Sequence, residues 1–248
     1  MTNVTIITPI YNPNEKYIIQ VIRSVQRQTY VDYEHLIIDD KSDTALSSDV
    51  LSIIESDPKI RLIKRDWNAG PAVTRNRGIS EAKGRFIAFL DADDEWQPNK
   101  LLTQINFMLE NHVALCYTAY NIVNEQGAFL ALRVPPKKLT YHDILKSNRI
   151  GCLTAIYDTN MVGKVFMPNI AKRQDMGLWL SILKKVPYAV GLVDEPYADY
   201  RIGGQSVSSN KMSVLKYQWR IYREVEKMSL VTSAYYFVHY VFNGLVRK

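Results

Sequence analysis

The residues in this chain best suited to chemistry are four carboxylates packed into five positions. In IAFLDADDEW, residues 87–96, an apolar run leads straight into Asp91, Asp93, Asp94 and Glu95. Like charges at this spacing repel one another and resist burial unless a cation offsets them. A solvated surface turn is one reading of such a run. A calcium loop of the EF type needs Gly at its sixth position and Glu at its twelfth. Counted from Asp91 these positions hold Trp96 and Leu102, so that reading fails. An aspartyl-phosphate phosphotransferase carries Asp-x-Asp after its first strand and follows it with Thr or Val, whereas Asp94 follows here. The remaining reading is a site for Mn²⁺ or Mg²⁺ with a nucleotide diphosphate. These hard ions take one or two carboxylates and complete their shell with phosphate and water, offsetting the charge that builds on a departing diphosphate. The second carboxylate is then free to accept a hydrogen bond from a ribose hydroxyl.

Further candidates lie in other short loops. Asp40 follows LIID and can accept from a nucleobase or ribose, or stabilise the turn before KSD. Asn68, Gly70 and Pro71 form a turn leading into a helix that carries Arg75 and Arg77, whose guanidiniums suit phosphate or the nearby carboxylates. Arg77 fits a solvated helix face better. Neither GxGxxG nor GxxxxGK[ST] occurs, which argues against dinucleotide and P-loop binding.

The elements that must hold these loops follow from periodicity. Apolar runs VTIIT (4–8), HLIID (35–39), IRLIK (60–64) and RFIAFL (85–90) alternate with stretches at helical spacing. Those stretches are Tyr17, Val21 and Val25; LSSDVLSIIES (46–56); AVTRNRGISEA (72–82); and PNKLLTQINFMLE (98–110), whose Pro98 suits a first helical turn. Four β-then-α units predict an α/β fold, a doubly wound, mostly parallel sheet flanked by helices, with ligands outside the carboxyl ends of the strands. The loops TPIYN, DDKSD, NAGPA and DADDE should therefore share one edge. Farther on, VALCYTAYNIV (113–123), a NEQG turn and AFLALR (128–133) predict a hairpin. IGCLTAIYD (150–158) and PYAVGLVDEPYADYRI (187–202) predict strands around a helix over 175–185. The expected organisation is one unit over 1–202, with a nucleotide-binding half (1–112) and an acceptor-binding half (113–202), then a lid loop and amphipathic helices over 203–248.

With 248 residues, 47% hydrophobic and 23% charged, the chain can bury a sizeable core. Cys116 and Cys152 sit in apolar runs and read as small buried hydrophobes in a reducing compartment. MTNVTIITPI lacks the basic and apolar regions of a signal peptide, so a cytoplasmic protein is expected. The net charge of +6 belongs entirely to the last fifth: residues 1–199 balance, whereas 200–248 hold eight basic side chains against Glu224 and Glu226. Beyond Val214 two helices are expected, the second over SLVTSAYYFVHYVFNGLVRK, with Thr232, Tyr236, His239, Asn243 and Arg247 on one face. Its composition suits an interfacial helix on an anionic membrane surface at the inner face of the cell membrane; packing on the domain or on a homodimer partner is the other option. Nucleic acid is not expected, because the basic residues flank an apolar helix rather than line a groove.

In combination the motifs resemble the family 2 glycosyltransferases with the GT-A fold, over roughly the first 100 residues. The resemblance is carried by Thr8-Pro9-x-Tyr11-Asn12, Ser24-x-x-x-Gln28-Thr29, Asp39-Asp40-x-Ser42, Asn68-x-Gly70, Arg75-Asn76-x-Gly78-Ile79, Ala82-x-Gly84 and Phe89-Leu90-Asp91-Ala92-Asp93-Asp94-x-Trp96-x-Pro98. After Ser42 the family's Thr-then-acid order is reversed, as Asp43-Thr44. The resemblance implies nucleotide contacts from Thr8, Pro9, Tyr11, Asp40, Asn68, Gly70, Arg75, Asp91, Ala92 and Asp93, with Asp91 on ribose and Asp93 on the metal. It also implies a catalytic base at the start of a late helix. Gln174-Asp175 stands where the family has Glu-Asp, which makes Asp175 the candidate. An inverting transfer needs a carboxylate to take the acceptor hydroxyl's proton. Arg201 and the loop 203–211, with Ser208, are candidates to close over the diphosphate.

The processive motif QxxRW is absent, and KRQD, YADYR and SVSSNK look closest to enzymes of bacterial teichuronic acid and surface polysaccharide assembly. The expected activity is therefore a metal-dependent, inverting transfer of one sugar, most simply from a UDP-sugar, to a saccharide or lipid-linked saccharide hydroxyl. A sugar nucleotidyltransferase and a catalytically inactive nucleotide-binding module are the alternatives.

Overall fold

The computed structural model describes residues 3–203 and 211–246. The first half alternates as expected: β1 (Val4–Ile10), α1 (Glu15–Gln26), β2 (Tyr33–Asp39), α2 (Ser48–Ser56), β3 (Ile60–Lys64), α3 (Pro71–Glu81) and β4 (Phe86–Phe89). Local signals fix the helix starts. Asn14 and Ser47 accept the backbone N–H groups of Lys16 and Val50. Pro71 takes the first position of α3, after Gly70 at φ +85°, a conformation that only glycine adopts freely.

Next come β5 (Glu95–Trp96), α4 (Lys100–Glu110), β6 (Leu115–Val123), β7 (Phe129–Arg133), β8 (Lys138–Leu139), α5 (Tyr141–Lys146), β9 (Ile156–Asp158), α6 (Thr159–Val162), α7 (Gln174–Leu183) and β10 (Ala189–Arg201). The chain closes with α8 (Lys211–Arg220), a π-helical turn over Ile221–Val225, and α9 (Leu230–Val246).

The strands form one ten-stranded sheet in the order β3-β2-β1-β4-β9-β6-β10-β5, with β7 beside β6 and β8 beside β10. The β3-β2-β1-β4 block is parallel throughout. β9 runs antiparallel to both β4 and β6, which joins the two halves into a continuous layer. Successive strand residues fall into opposite cores: Ile6, Ile37 and Phe86 pack with α1, α2 and α4, whereas Ile7, Leu36 and Ile87 pack with α3, α5, α7 and the C-terminal helices. This period of two over a sheet buried on both faces explains why the strands read as unbroken apolar runs.

Three expectations need correcting. The predicted strand over 150–158 is a strand only at its end. Cys152–Thr154 forms a 3₁₀ turn, closed by Thr154 Oγ1 donating to the Gly151 carbonyl at 2.8 Å. Pro98 lies before α4 rather than inside it, because its carbonyl is held by the Thr29 N–H at 3.0 Å. The short β5 was not expected and pairs antiparallel with β10. Among the described residues no helix is long and apolar enough to cross a membrane.

Candidate active site

Parallel pairing delivers the four loops to one edge. Ile10 stands opposite Asp39, and Asp39 opposite Lys64, while Ile7 pairs with Phe89. The ladder continues into the loops: Asp40 N–H donates to Ile10 O at 2.8 Å, Arg65 N–H to Asp39 O at 2.9 Å and Leu90 N–H to Ile7 O at 3.0 Å.

The first two loops are stitched together by Asp43. Its carboxylate accepts from Tyr11 Oη at 3.0 Å and Asn12 Nδ2 at 2.7 Å, and its N–H returns to Asn12 Oδ1 at 2.8 Å. Those bonds hold the Asp43 carboxyl below its usual range and raise the Tyr11 phenol. The transposed Asp43-Thr44 order thus leaves the acid with a function: it fixes the half-exposed Tyr11 ring. Thr8 differs from expectation. It is fully buried with its hydroxyl 2.9 Å from His35 Nε2, so its side chain supports the strand and does not face the opening. Burial pushes His35 down to about 3, which keeps the ring neutral. Pro9 and Ala92 are half-buried beside these loops.

Asp40 and Asp39 divide the roles considered for Asp40. Asp39 Oδ1 holds the KSD turn through Ser42 N at 2.9 Å and Ser42 Oγ at 2.7 Å. Asp40 reaches the next loop: its oxygens accept from Arg65 Nη1, from Ala69 N at 3.2 Å and from Gly70 N at 2.7 Å. The Asn68–Gly70 turn is therefore built on Asp40, and Asn68 is left exposed at its tip.

The acidic loop is only partly an open site. Arg75, itself buried, pairs with Asp91. Burial would lower the pKa of its guanidinium, but Asp91, Cys152 and Asp175 together outweigh that and leave it raised. Asp94 is buried and accepts the Arg201 N–H at 3.0 Å; burial and then Asp93 and Asp91 raise its carboxyl well above the usual range. Glu95 pairs with Arg201 at 2.7 Å. Neither Asp94 nor Glu95 is merely solvated.

Arg201 itself is a correction. Its guanidinium donates to Asp93 O (2.9 Å), Asn124 O (3.2 Å), Glu125 O (3.2 Å), Gln20 Oε1 (3.5 Å) and Glu95 Oε1 (2.7 Å). A guanidinium has five N–H groups, so none remains for a diphosphate. Arg201 is a clamp that fixes the acidic loop against the β6–β7 turn. Ser208, the other lid candidate, lies outside the described residues.

Asp93 is the carboxylate left facing the opening. Its side chain reaches solvent, yet the burial of its recess and then Asp91 push it up to about 6. Among the described residues no three His, Cys, Asp or Glu converge into a protein cage for a metal. One ionisable oxygen ligand, with Asp91 beside it, suits Mn²⁺ or Mg²⁺ completed by phosphate and water. Arg77, as expected, pairs with Glu81 on the helix surface at 2.8 Å.

Asp175 enters from the other half of the sheet, in the first turn of α7. Gly177 lets the preceding segment cross close by, since a Cβ there would lie 2.3 Å from Pro168 Cγ. Asp175 acts electrostatically on Arg75 and Cys152, both of which feel its charge. Two neighbours carried no sequence signal. Asn148 Nδ2 donates to Asp175 Oδ2 at 3.0 Å, while Asn148 Oδ1 accepts from Ile150 N at 3.1 Å, which fixes the amide's orientation. The Cys152 thiol, raised well above its usual range by burial, lies among Arg75, Asp91 and Asp175. As a small residue packed against the core it fits expectation, and it also feels the charges of the candidate site.

Three comparisons with known proteins agree with this geometry. The model of the family described as Glycosyl transferase family 2 matches residues 5–158. A Bacillus subtilis (strain 168) protein named as a teichuronic acid biosynthesis glycosyltransferase, TuaG, is 39% identical over 254 residues and covers 100% of both chains. An Escherichia coli protein, WfgD, named as a UDP-Glc:alpha-D-GlcNAc-diphosphoundecaprenol beta-1,3-glucosyltransferase, is 38% identical over 242 residues, 98% of this chain and 93% of its own. Among solved structures, S. aureus TarS 1–349 in complex with UDP-GlcNAc matches with a TM-score of 0.73 at 20% identity, covering 96% of this chain and 71% of that one. At that identity the likeness speaks for the fold, the GT-A arrangement of a mostly parallel sheet between helices.

Proposed function

The chain belongs to glycosyl transferase family 2 and is a glycosyltransferase; from that premise we propose that it moves one sugar at a time from a UDP-sugar, with inversion, to a hydroxyl of a lipid-linked or growing surface polysaccharide. Membership sets aside the nucleotidyltransferase alternative. UDP as the donor nucleotide, and a saccharide on a diphospholipid as acceptor, are supported by the activity for which WfgD is named and by the nucleotide-sugar bound to TarS. Such an acceptor puts the working enzyme at the inner face of the cell membrane.

The observation that carries this reading is that Arg75, paired with Asp91, also feels the charge of Asp175, so carboxylates more than eighty residues apart in sequence act on one buried guanidinium. In the proposed mechanism Tyr11, Asn68 and the Asp40-built turn hold the nucleoside, and Asp91 accepts from its ribose. Asp93 would hold Mn²⁺ or Mg²⁺, which when bound would supply positive charge to offset that of the departing diphosphate. Asp175, with Oδ2 engaged by Asn148, presents Oδ1 to the acceptor hydroxyl. As that oxygen bonds to the anomeric carbon from the face opposite the diphosphate, its proton passes to Asp175 and UDP leaves with the electron pair of the broken C–O bond.

The test is UDP release from UDP-Glc, UDP-GlcNAc and related donors with Mn²⁺, with and without a GlcNAc-diphospholipid acceptor. Asp93→Ala should abolish donor binding, and Asp175→Asn should retain binding while lowering turnover by about 10²–10⁴-fold. Sugar transfer that survives both substitutions refutes the assignment.

A further inference from the structure

The last helix is turned the opposite way from an ordinary surface helix. The face of α9 packed on the domain carries Ser233, Tyr236, Tyr240 and Asn243, satisfied there by hydrogen bonds. Tyr236 Oη lies 2.6 Å from His142 Nδ1, Tyr240 Oη accepts from Arg173, and Asn243 Nδ2 donates to Lys146 O at 3.4 Å. The face toward solvent carries Val231, Tyr235, Val238 and Phe242, at spacings of four, three and four, with exposures from 53% at Tyr235 to 81% at Val231. That spacing aligns them in one stripe about 16 Å long at 1.5 Å per residue. A surface helix normally has the reverse arrangement, and a contiguous apolar stripe of this kind marks an interaction site.

We infer that this stripe is a membrane-docking surface, which lies in the interfacial plane of an anionic bilayer and inserts Val231, Tyr235, Val238 and Phe242 among the lipid headgroups. Charge decides between a bilayer and a second copy of the chain. Residues 227–248 contain no Asp or Glu, and the helix is bracketed by Lys227 at one end and Arg247 and Lys248 at the other. Two such helices packed antiparallel would bring these like-charged ends together, whereas anionic headgroups neutralise them.

The adjoining surface adds further aromatic area. Trp219 of α8 meets Phe237 of α9 edge-on at 5.5 Å, and together they line an open groove of about 740 Å³ with Leu215, Lys216 and the Arg220–Glu224 pair. Shallow attachment is the form this helix permits, since among the described residues none is fit to cross a bilayer.

The inference deepens the lipid-linked acceptor reading and depends on it for its biological use. The test is flotation of the full chain with vesicles containing phosphatidylglycerol, against neutral phosphatidylcholine vesicles, beside UDP release measured with a soluble GlcNAc acceptor. Wild type should float with the anionic vesicles and less with the neutral ones. Val231→Asp with Val238→Asp should lower vesicle affinity by about 10–100-fold, from the apolar area withdrawn, with soluble-substrate turnover and thermal midpoint unchanged. A milder pair, Val231→Ser with Val238→Ser, should weaken binding in proportion. No flotation of wild type, or flotation indifferent to both pairs, overturns the inference. So does a concentration-dependent dimer that the substitutions abolish, which would make the occupant a second copy. An active but unattached enzyme counts against this surface alone; an attached enzyme that moves no sugar counts against the proposed function alone.

Discussion

Under the proposed function, Asp93 makes cation binding a proton-coupled step, and pH alone tests this. Its carboxyl is pushed up to about 6 by burial and by Asp91, and only the ionised form can hold a cation. The apparent dissociation constant for Mn²⁺ should therefore scale as one plus ten raised to the power of six minus pH, about 1.1-fold above its limit at pH 7, 2-fold at pH 6 and 11-fold at pH 5. The assay is calorimetric titration of Mn²⁺ into enzyme saturated with a UDP-sugar, whose phosphodiester groups stay ionised across this range. About half a proton should be released per ion bound at pH 6. Stability should move the other way. Because the folded chain holds this proton more tightly than the unfolded one, the group favours folding increasingly as pH falls from above 6 toward 3.8. Metal-free Asp93→Asn should accordingly melt above wild type at pH 7.5 by about 2–4 °C, from roughly 1 kcal/mol after allowance for solvent screening, and the gap should narrow below pH 6 and close only near pH 3.8. A Mn²⁺ affinity that is flat between pH 7 and pH 5, or that strengthens in acid, would refute the reasoning.

Two further outcomes are expected. Asn148→Ala removes the donor that steadies the Asp175 carboxylate; kcat should fall about 10-fold with donor KM unchanged and the thermal midpoint little altered, as steady-state kinetics beside a thermal shift would show. Arg201→Lys replaces five fixed donors by three, so it should cost about 3–5 kcal/mol, lower the melting temperature by roughly 6–15 °C and weaken Mn²⁺ binding, as measured by thermal shift with and without the ion.

The first half of the molecule was legible because its signals are local. Period-two apolar runs, caps and short loops specify β1 to β4 and bring Tyr11, Asp40, Asn68 and Asp91 to one edge without any long-range information. The rest depends on contacts that leave no periodic trace. Asn148 acts on a residue 27 positions away, and Arg201 spends its donors mainly on backbone carbonyls, 76 to 108 positions distant, that any sequence would supply. A cation after YADY therefore looked available for phosphate when it was already saturated. The stretch over 150–158 was apolar enough for a strand, but a local hydroxyl-to-carbonyl bond won its first half for a turn. For α9 the polar and apolar faces were visible, yet which one packs inward depends on partners from α5 and from Arg173.

The Arg201 clamp also sets an order of events during synthesis. A chain emerging from the ribosome folds its N-terminal part first, so every donor motif, Asp93 included, exists well before residue 201. Until β10 is made and docked, Asp94 lacks the N–H that it accepts and the Asp93 carbonyl lacks its guanidinium. Unfinished chains thus carry the motifs without the geometry, and the acidic loop takes its final form only with completion of the sheet.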